Sequence, residues 1–332
     1  MPAAVRSKLL LVACLVGTLA LAVTATAFAG NGGFAPVEGV SPNSDRINES
    51  YTLVAIFTGA IFVLVEGLLI AFMIRFRRKG RPRDAEGARI HGNTRLEIAW
   101  TVAPVLILVA IGGFVFYKLP GISNVPAATA AGGRLDVKVE GHQFYWQFTY
   151  PNGVIAVDRL RAPAGQTVRL EITSPDHDVI HSWWIPALGG KFDATPGVIN
   201  VTWFRAERPG TFTGQCAEFC GIQHAVMKAT VEAMPRGEFE AWLAQEQDAQ
   251  AAGTGTLGAD TYAGACAKCH GLAGEGLIGP ALKGSALVAD AKGIEKLVRE
   301  GGLRMPAVGK GWTDTQLKAL TSYLKENLGN AG

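Results

Sequence analysis

Outside one short segment, the chain lacks any excess of positive charge. Residues 75–95 carry eight of its 31 lysines and arginines but only two of its 28 acidic residues, which leaves 23 basic against 26 acidic side chains elsewhere. Because nucleic-acid binding needs clustered basic residues, this balance argues against a nucleic-acid partner. The sequence also lacks internal repeats. Its mean hydropathy of +0.21 indicates that part of the chain lies in lipid.

Residues 1–29 have the features of a secretory signal. A basic start precedes an apolar run from Leu9, and residues 27–29 place small side chains at a cleavage site. We expect the mature chain to begin near Gly30. The alternative is a lipoprotein processing site at Cys14, but few apolar residues precede this cysteine.

Two further segments, residues 51–74 and 98–117, each reach the roughly 20 apolar residues that a membrane-spanning helix needs. The basic loop between them marks the cytoplasmic side of the membrane. We therefore predict a two-pass plasma-membrane protein in which everything after Lys118 is periplasmic. Glu66 lies inside the first of these helices, and the sequence assigns it no role.

The middle of the chain has the alternation of β-strands. Residues 134–151 are predicted to form one strand and residues 166–174 another, because apolar and polar side chains alternate along each. Residues 198–204 and 228–234 supply two more short runs of β-forming residues, separated by Pro and Gly turns. These runs predict a small antiparallel sandwich or barrel that ends near Met234.

The last part of the chain has a helical pattern. A helix over residues 237–252 is predicted to lead into the Gly/Thr segment 253–258, which we expect to be a flexible linker. The final helix has Thr313 as its predicted N-cap, and four leucines line one face: Leu317, Leu320, Leu324 and Leu328. A unit of about 75 residues rarely holds a stable core unaided, so a covalent or metal staple is expected.

Residues 266–270, CAKCH, supply that staple. Two cysteines and an adjacent histidine at this spacing form the attachment pattern of a c-type haem, in which Cys266 and Cys269 bond the porphyrin and His270 binds the iron. Methionine is a common sixth iron ligand. The chain has only five methionines, and Met305 is the one that lies beyond the β unit. A redox or structural cysteine pair is the alternative.

Residues 214–227, GQCAEFCGIQHAVM, crowd soft ligands into one loop. Cys216, Cys220, His224 and Met227 together favour copper, because thiolate and thioether sulfur suit Cu(I) and imidazole suits both oxidation states. Zinc sites rarely include methionine, and a disulfide would leave the histidine and methionine unexplained. Two thiolates can bridge two metals if a second histidine arrives from another strand. The candidates are His142, His177 and His181.

This loop, the segment HSWWIPALGGKFDATPG and the hydrophobic hairpin resemble subunit II of cytochrome c oxidase, from about residue 48 to residue 234. The resemblance implies a cupredoxin sandwich that carries the dinuclear CuA centre. It implies that two thiolates bridge the coppers, that two imidazoles bind one copper each, and that a thioether and a backbone carbonyl are weak axial ligands. In this sequence the ligands are Cys216 and Cys220, His181 and His224, and Met227 with the carbonyl of Glu218.

Further roles follow from the same resemblance. The Glu218 carboxylate matches a magnesium ligand at the contact with subunit I, and Glu97 matches an acid at the mouth of a proton pathway, with an interfacial carboxylate as the alternative. Lys191 and Asp193 match residues that face subunit I. The family commonly has Trp-Tyr-Trp where a soluble cytochrome c delivers its electron, whereas this chain has Phe144, Tyr145 and Trp146.

The fused haem unit is similar to a class I cytochrome c, and the combination resembles subunit II of the caa3-type oxidases. A tethered donor acts at an effective concentration of about millimolar, which accounts for the altered aromatic run. The expected fold is a transmembrane α-helical hairpin, then an all-β cupredoxin-like Greek-key sandwich, then an all-α cytochrome c. The expected segments are signal 1–29, hairpin 30–120, CuA unit 121–234, helix and linker 235–258, and haem unit 259–332.

The expected function is electron input to a proton-pumping oxidase. Electrons enter at the haem and pass through CuA to subunit I, which reduces oxygen to water; this chain holds no oxygen-reducing site of its own. Subunits I and III are the expected partners, with an upstream cytochrome or complex III as the donor. Two alternatives remain: the electron-input subunit of a CuA-type nitric oxide reductase, and a free membrane-anchored electron carrier.

Overall fold

The structure is a computed structural model that describes residues 36–77, 80, 87, 91–127 and 133–329. It divides into two compact units, one formed around Asp45–Ile122 and the other by Gly39–Ser44 together with Ser123–Gly332. The predicted signal, including Cys14, and most of the basic loop lie outside the described residues.

The first unit is a pair of long helices, α1 (Pro42–Arg75) and α2 (Thr94–Ser123). Their mean hydropathy reaches 2.5 and 2.3, and both are long and apolar enough to cross a membrane. Each helix extends beyond the apolar run that predicted it. The reason is that the apolar run marks only the part of a helix that lipid would cover, whereas helical hydrogen bonding continues through polar residues. For α2, Asn93 caps the start by accepting the Leu96 N–H at 3.2 Å.

Polar side chains join the two helices near the start of α1 and the end of α2. The guanidinium of Arg46 donates to the carbonyl oxygen of Gly121 at 2.9 Å, and Lys118 forms an ion pair with Glu49. Along the apolar stretches of both helices, many large side chains are exposed, as expected of a surface that faces lipid.

The second unit begins with two five-stranded sheets. The strands are β1 (Arg134–His142), β2 (Tyr145–Thr149), β3 (Ile155–Val157), β4 (Arg159–Pro163), β5 (Thr167–Thr173), β6 (His181–Trp184), β7 (Phe192–Ala194), β8 (Asn200–Phe204), β9 (Gly210–Cys216) and β10 (Lys228–Met234). One sheet has the order β3-β2-β1-β5-β8 and the other β4-β10-β9-β6-β7. The alternating inward side chains of both sheets form one apolar core, in which Val139, Phe148 and Leu170 are fully buried.

Two details of the predicted sheet are wrong. Residues 134–151 form a hairpin, β1 and β2, because the chain reverses at Gln143 and Phe144 so that His142 pairs with Tyr145. The sandwich is also not purely antiparallel, since β1 pairs with β5 and β10 with β4 in parallel. Connections that pass from one sheet to the other bring these strands back in the same direction.

Helices complete the second unit. They are α3 (Arg236–Ala252), α4 (Leu257–Thr261), a π-helical turn (Tyr262–Cys266), α5 (Ala267–His270), α6 (Ala291–Glu300) and α7 (Asp314–Asn327), with short 3₁₀ segments at His224–Val226 and Ala286–Ala289. The predicted N-cap of the last helix is confirmed, because the Thr313 hydroxyl accepts the Gln316 N–H at 3.2 Å. All four predicted leucines are buried in its core.

The segment 253–258, expected to be a flexible linker with nothing to pack, is partly ordered into the core. Leu257 is 1% exposed and starts α4. A Cβ added to Gly258 would lie 2.2 Å from the carbonyl oxygen of Ala319, so the backbone of α4 lies directly against α7. The Gly/Thr composition hid this contact because glycine here permits close approach of two helices and adds no flexibility.

Candidate functional site

Two cysteines and two histidines converge at one end of the sandwich. Cys216 is the last residue of β9, His181 is the first residue of the neighbouring strand β6, and Cys220 and His224 follow in the loop. The two sulfurs are 4.0 Å apart and both thiols are free and buried. The Nδ1 of His181 lies 3.9 Å from the Cys216 sulfur, and the Nδ1 of His224 lies 3.6 Å from the Cys220 sulfur.

The two predicted axial groups lie in the same cluster. The Sδ of Met227 is 3.8 Å from the Cys220 sulfur, and this methionine is fully buried. The carbonyl oxygen of Glu218 accepts a hydrogen bond from the Cys216 thiol at 3.2 Å. The loop is closed by the Cys216 N–H, which donates to the carbonyl oxygen of Met227 at 3.0 Å. All six predicted ligand groups are therefore brought together.

A carboxylate that the sequence did not single out orients His181. The Oδ1 of Asp178 is 3.2 Å from His181 Nε2, which leaves Nδ1 facing the sulfurs. Asp178 is held in turn by the backbone N–H groups of Gln143, at 3.1 Å, and Val179, at 2.7 Å. Burial lowers the pKa of His181, but the hydrogen bond to Asp178 and the contact with Cys216 outweigh burial and raise this pKa above its usual value. Carboxylate–imidazole pairs of this kind fix the tautomer of a metal-binding histidine.

The contact between the two thiols shifts their pKa values in opposite directions. Hydrogen bonding from Cys220 lowers the pKa of Cys216, because the neighbouring S–H stabilises the Cys216 thiolate. The same contact, together with burial, raises the pKa of Cys220. Cys216 is therefore the more acidic of the two thiols. The ligating atoms of His181, Cys216 and Cys220 lie within 4.8 Å of one another, so this set of soft donors fits a thiolate-bridged copper pair.

The other two candidate histidines do not join this cluster. His177 is exposed on the surface. His142 is buried and stacks on Tyr145, with ring centroids 4.7 Å apart. Burial lowers the pKa of His142 to about 4, so its ring is neutral at physiological pH.

The cysteines of the CAKCH motif lie on the π-helical turn and α5. Cys266 is buried, and burial raises its pKa to about 12. His270 Nδ1 lies 2.7 Å from the carbonyl oxygen of Pro280 and donates to it, which leaves Nε2 as the ring atom available to a metal. A Cβ on Gly279 would lie 2.7 Å from the His270 ring. This glycine therefore lets the backbone approach the imidazole.

Met305 is half-buried and packs against the core of the helical unit. Several large apolar side chains near the two ligand segments are strongly exposed, namely Leu272, Leu277, Ile278 and Leu303. Two thiols, one oriented imidazole, a thioether and an apolar surround are the groups that a covalently attached haem requires. The residues present therefore fit a c-type haem.

The aromatic run Phe144–Trp146 lies between these two sites. All three side chains are buried. The Tyr145 ring belongs to the core of the helical unit, whereas Phe144 and Trp146 belong to the core of the sandwich. Trp146 makes an edge contact with His181, with ring centroids 6.1 Å apart.

The carboxylates predicted to take up protons or bind magnesium make ordinary hydrogen bonds and ion pairs in the structure. The Glu97 carboxylate accepts the N–H of Asn93 at 3.1 Å and helps to begin α2. The Glu218 carboxylate lies 3.7 Å from Lys191 Nζ, which is also 3.9 Å from Asp193. Magnesium binding and proton uptake at these carboxylates stay predictions.

Family models match three consecutive parts of the chain. The transmembrane domain of cytochrome c oxidase subunit II matches residues 32–117, and the periplasmic domain of that subunit matches residues 153–234. Subunit III of cbb3-type cytochrome c oxidase matches residues 253–324.

Curated relatives agree with these matches. Cytochrome c oxidase subunit 2 of Alkalihalophilus pseudofirmus is 36% identical over 253 residues, which cover 72% of this chain and 71% of that protein. The chain belongs to the cytochrome c oxidase subunit II family. The subunit 2 of Cereibacter sphaeroides is 34% identical over 255 residues, covering 65% of this chain and 80% of that protein. The periplasmic domain of subunit II (CoxB) of Bradyrhizobium japonicum has 32% identity, with a TM-score of 0.34, and covers 37% of this chain and 97% of that domain.

Membership of the subunit II family confirms several expectations. The chain is a subunit of an oxidoreductase complex and has an electron-transfer role, with a cytochrome c domain fused to the subunit II architecture. The predicted order of hairpin, cupredoxin-like sandwich and cytochrome c domain is confirmed. The family implies copper and haem as cofactors, association with other oxidase subunits, and a membrane anchor with an extracytoplasmic domain.

Sequence reasoning missed three residues that support these sites: Asp178, Asp158 and Lys268. Asp178 lies only three residues before His181, so an acid near a candidate metal histidine was the available signal. Asp158 and Lys268 are 110 positions apart, and no local pattern links them.

Proposed function

We propose that this chain is the electron-input subunit of a caa3-type cytochrome c oxidase. It would accept electrons at a c-type haem held by Cys266, Cys269, His270 and Met305. It would pass them through a CuA centre held by His181, Cys216, Cys220, His224, Met227 and the Glu218 carbonyl. Subunit I would then use these electrons to reduce oxygen to water with proton pumping, with the copper and haem domains in the periplasm.

One observation carries the proposal: the ligand sets for both cofactors occur in the same compact unit, where Trp146 contacts His181 and the Phe144 carbonyl accepts a hydrogen bond from Lys268 of the CAKCH motif. When bound, the two cofactors supply one-electron redox chemistry. The protein's own residues fix the orientation of the side chains that would bind the two cofactors. Asp178 fixes the tautomer of His181, and Pro280 fixes that of His270. Burial of the sulfurs excludes water from the copper ligands, so little solvent would have to reorganise when the charge changes.

Spectra of the purified chain test the two cofactor assignments. We expect the optical bands of a low-spin c haem together with the paramagnetic signal of a mixed-valence copper pair. Replacement Cys216→Ser should abolish that copper signal and leave the haem bands intact, because the two ligand sets share no residue. Loss of the haem bands in this variant, or survival of the copper signal, would contradict the assignment.

The final acceptor is tested on the complex with its partner subunits. Oxygen uptake by this complex, with little nitric oxide consumption, supports the oxidase. The reverse result identifies a CuA-type nitric oxide reductase. A chain that migrates alone after mild detergent extraction would instead be a free membrane-anchored electron carrier.

A further inference from the structure

Lys268 lies between the two cysteines of the haem-attachment motif, yet its side chain is bound by the copper domain. Its Nζ donates to the carbonyl oxygen of Phe144 at 2.6 Å and to Asp158 Oδ2 at 2.9 Å. Only 15% of the Lys268 side chain is exposed. A lysine at a variable position of such a motif would ordinarily extend into solvent, so this burial requires a reason.

Asp158 is built to receive this lysine. Asp158 lies at the junction of β3 and β4 and has a backbone φ of 56°. Residues other than glycine seldom adopt this left-handed conformation. The Oδ1 of Asp158 accepts the N–H of Trp146 at 2.8 Å, so the carboxylate is fixed to the aromatic run before Lys268 binds the other oxygen. The pair therefore joins the haem motif to both ends of the segment Phe144–Trp146.

The backbone of Lys268 makes a second connection. Its carbonyl oxygen accepts a hydrogen bond from Gln223 Nε2 at 3.1 Å, and Gln223 directly precedes the candidate copper ligand His224. On the other side of the loop, Gln143 Nε2 donates to the carbonyl oxygen of Cys220 at 2.6 Å. Lys268 is thus joined by one hydrogen bond to the loop that carries Cys216, Cys220 and His224.

Two further contacts join the sandwich to the helical domain. The hydroxyl of Tyr145 accepts from Trp312 Nε1 at 2.6 Å and donates to the carbonyl oxygen of Val308 at 3.2 Å. A Cβ on Gly264, in the π-helical turn, would overlap a side-chain carbon of Val157, so the π-helical turn packs directly against β3. The run that a soluble donor would use is covered by this chain's own helical domain.

We propose that Lys268 is a positioning residue that fixes the haem-bearing turn on the Phe144–Trp146 run, so that the fused domain is the permanent occupant of the copper domain's electron-input surface. This inference rests on the proposed function. The reaction it would serve is one-electron transfer, in which a haem held by the CAKCH motif would supply the electron and a copper pair held by Cys216 and Cys220 would accept it. A charge-assisted contact in a largely buried place supplies the fixed geometry that fast transfer needs.

The test uses the full chain in detergent, loaded with both cofactors, with a photoexcited ruthenium complex as the reductant of the haem. Lys268→Met keeps the apolar stem and the carbonyl that receives Gln223 but removes the ammonium group. Asp158→Asn keeps an oxygen for the Trp146 N–H, and asparagine tolerates the left-handed backbone. Lys296→Met, at an exposed position on α6, is the control for charge alone.

We expect transfer from haem to copper to slow by about tenfold or more in Lys268→Met and in Asp158→Asn, because small displacements of fixed reactants cost rate steeply. The double variant should be no slower than Lys268→Met, because the lysine substitution already removes the contact that Asp158→Asn removes. Haem and copper spectra and the Lys296→Met rate should stay unchanged.

Hydrogen exchange provides a readout that does not depend on turnover. The Trp146 amide should exchange faster in Lys268→Met, because its acceptor is no longer held, and this should hold with or without cofactors. Native transfer rates in both single variants, or additive effects in the double variant, would overturn the proposal. A parent chain that binds no copper pair would instead refute the proposed function, so the two failures are distinguishable.

Discussion

Three histidines of the copper domain have different surroundings, and their surroundings decide their chemistry. His181 has Asp178 on one nitrogen and sulfur facing the other. His177 is exposed, and His142 is buried against Tyr145 with its Nε2 lacking a hydrogen-bond partner among the described residues. Burial disfavours the charged form of an imidazole ring, so a buried histidine with no carboxylate in contact stays neutral.

The buried ring makes stability depend on pH. The pKa of His142 is lowered from 6.5 to about 4, so the unfolded chain binds a proton below pH 6.5 that the folded chain does not. This contribution to the free energy of unfolding is complete above pH 6.5 and is lost as the pH falls to about 4, amounting to about 3 kcal/mol. Urea unfolding of the copper-free chain at several pH values should show this loss, and His142→Gln should remove it. His177→Gln is the matched control. If His142→Gln loses as much stability at low pH as the unsubstituted chain, His142 is not the source of the pH dependence.

At the scale of elements, the helical domain depends on one close contact between α4 and α7. Gly258 lies so near the carbonyl oxygen of Ala319 that any side chain must displace one helix. Gly258→Ala should therefore destabilise the chain by about 1–3 kcal/mol. Gly311→Ala is the control, because a Cβ there meets nothing within 4 Å. Urea unfolding measures both, and equal stability of the two variants would show that α4 moves away without cost.

Elements also show what the sequence could predict. Contiguous signals succeeded: the N-cap Thr313, the leucine face of α7 and the two apolar helices all depend on neighbours a few residues apart. Signals that depend on distant partners failed. The turn at Gln143 is bonded to Asp178 and Cys220, the strands β1 and β10 pair in parallel with β5 and β4, and Leu257 is buried in the core, so each depends on contacts far along the chain.

The candidate sites divide in the same way. Within the loop Cys216–Met227, and separately within CAKCH, the ligand groups lie within a dozen residues of one another. Spacing alone therefore indicated the chemistry of each motif. His181 needed the family resemblance, because it comes from another strand. The contact of Lys268 with Asp158 joins two domains, and neither motif contains a sign of it.

At the scale of the whole molecule, the second unit combines a sandwich and a helical domain around shared side chains. Tyr145 and Val157 belong to strands of the sandwich but are buried in the core of the helical domain. Gln250 of α3 accepts the N–H of Ile155 at 3.1 Å and donates to its carbonyl oxygen at 2.8 Å, which adds a third connection. The two domains therefore form one compact body.

We propose that Cys216 and Cys220 act as thiolates that share two copper ions. Metal analysis of the purified chain, combined with thiol titration after metal removal under anaerobic conditions, tests this most directly. We expect two coppers for each haem iron, and two free thiols released when copper is removed. Fewer than two coppers per iron in fully loaded protein, or a disulfide between Cys216 and Cys220, would contradict it.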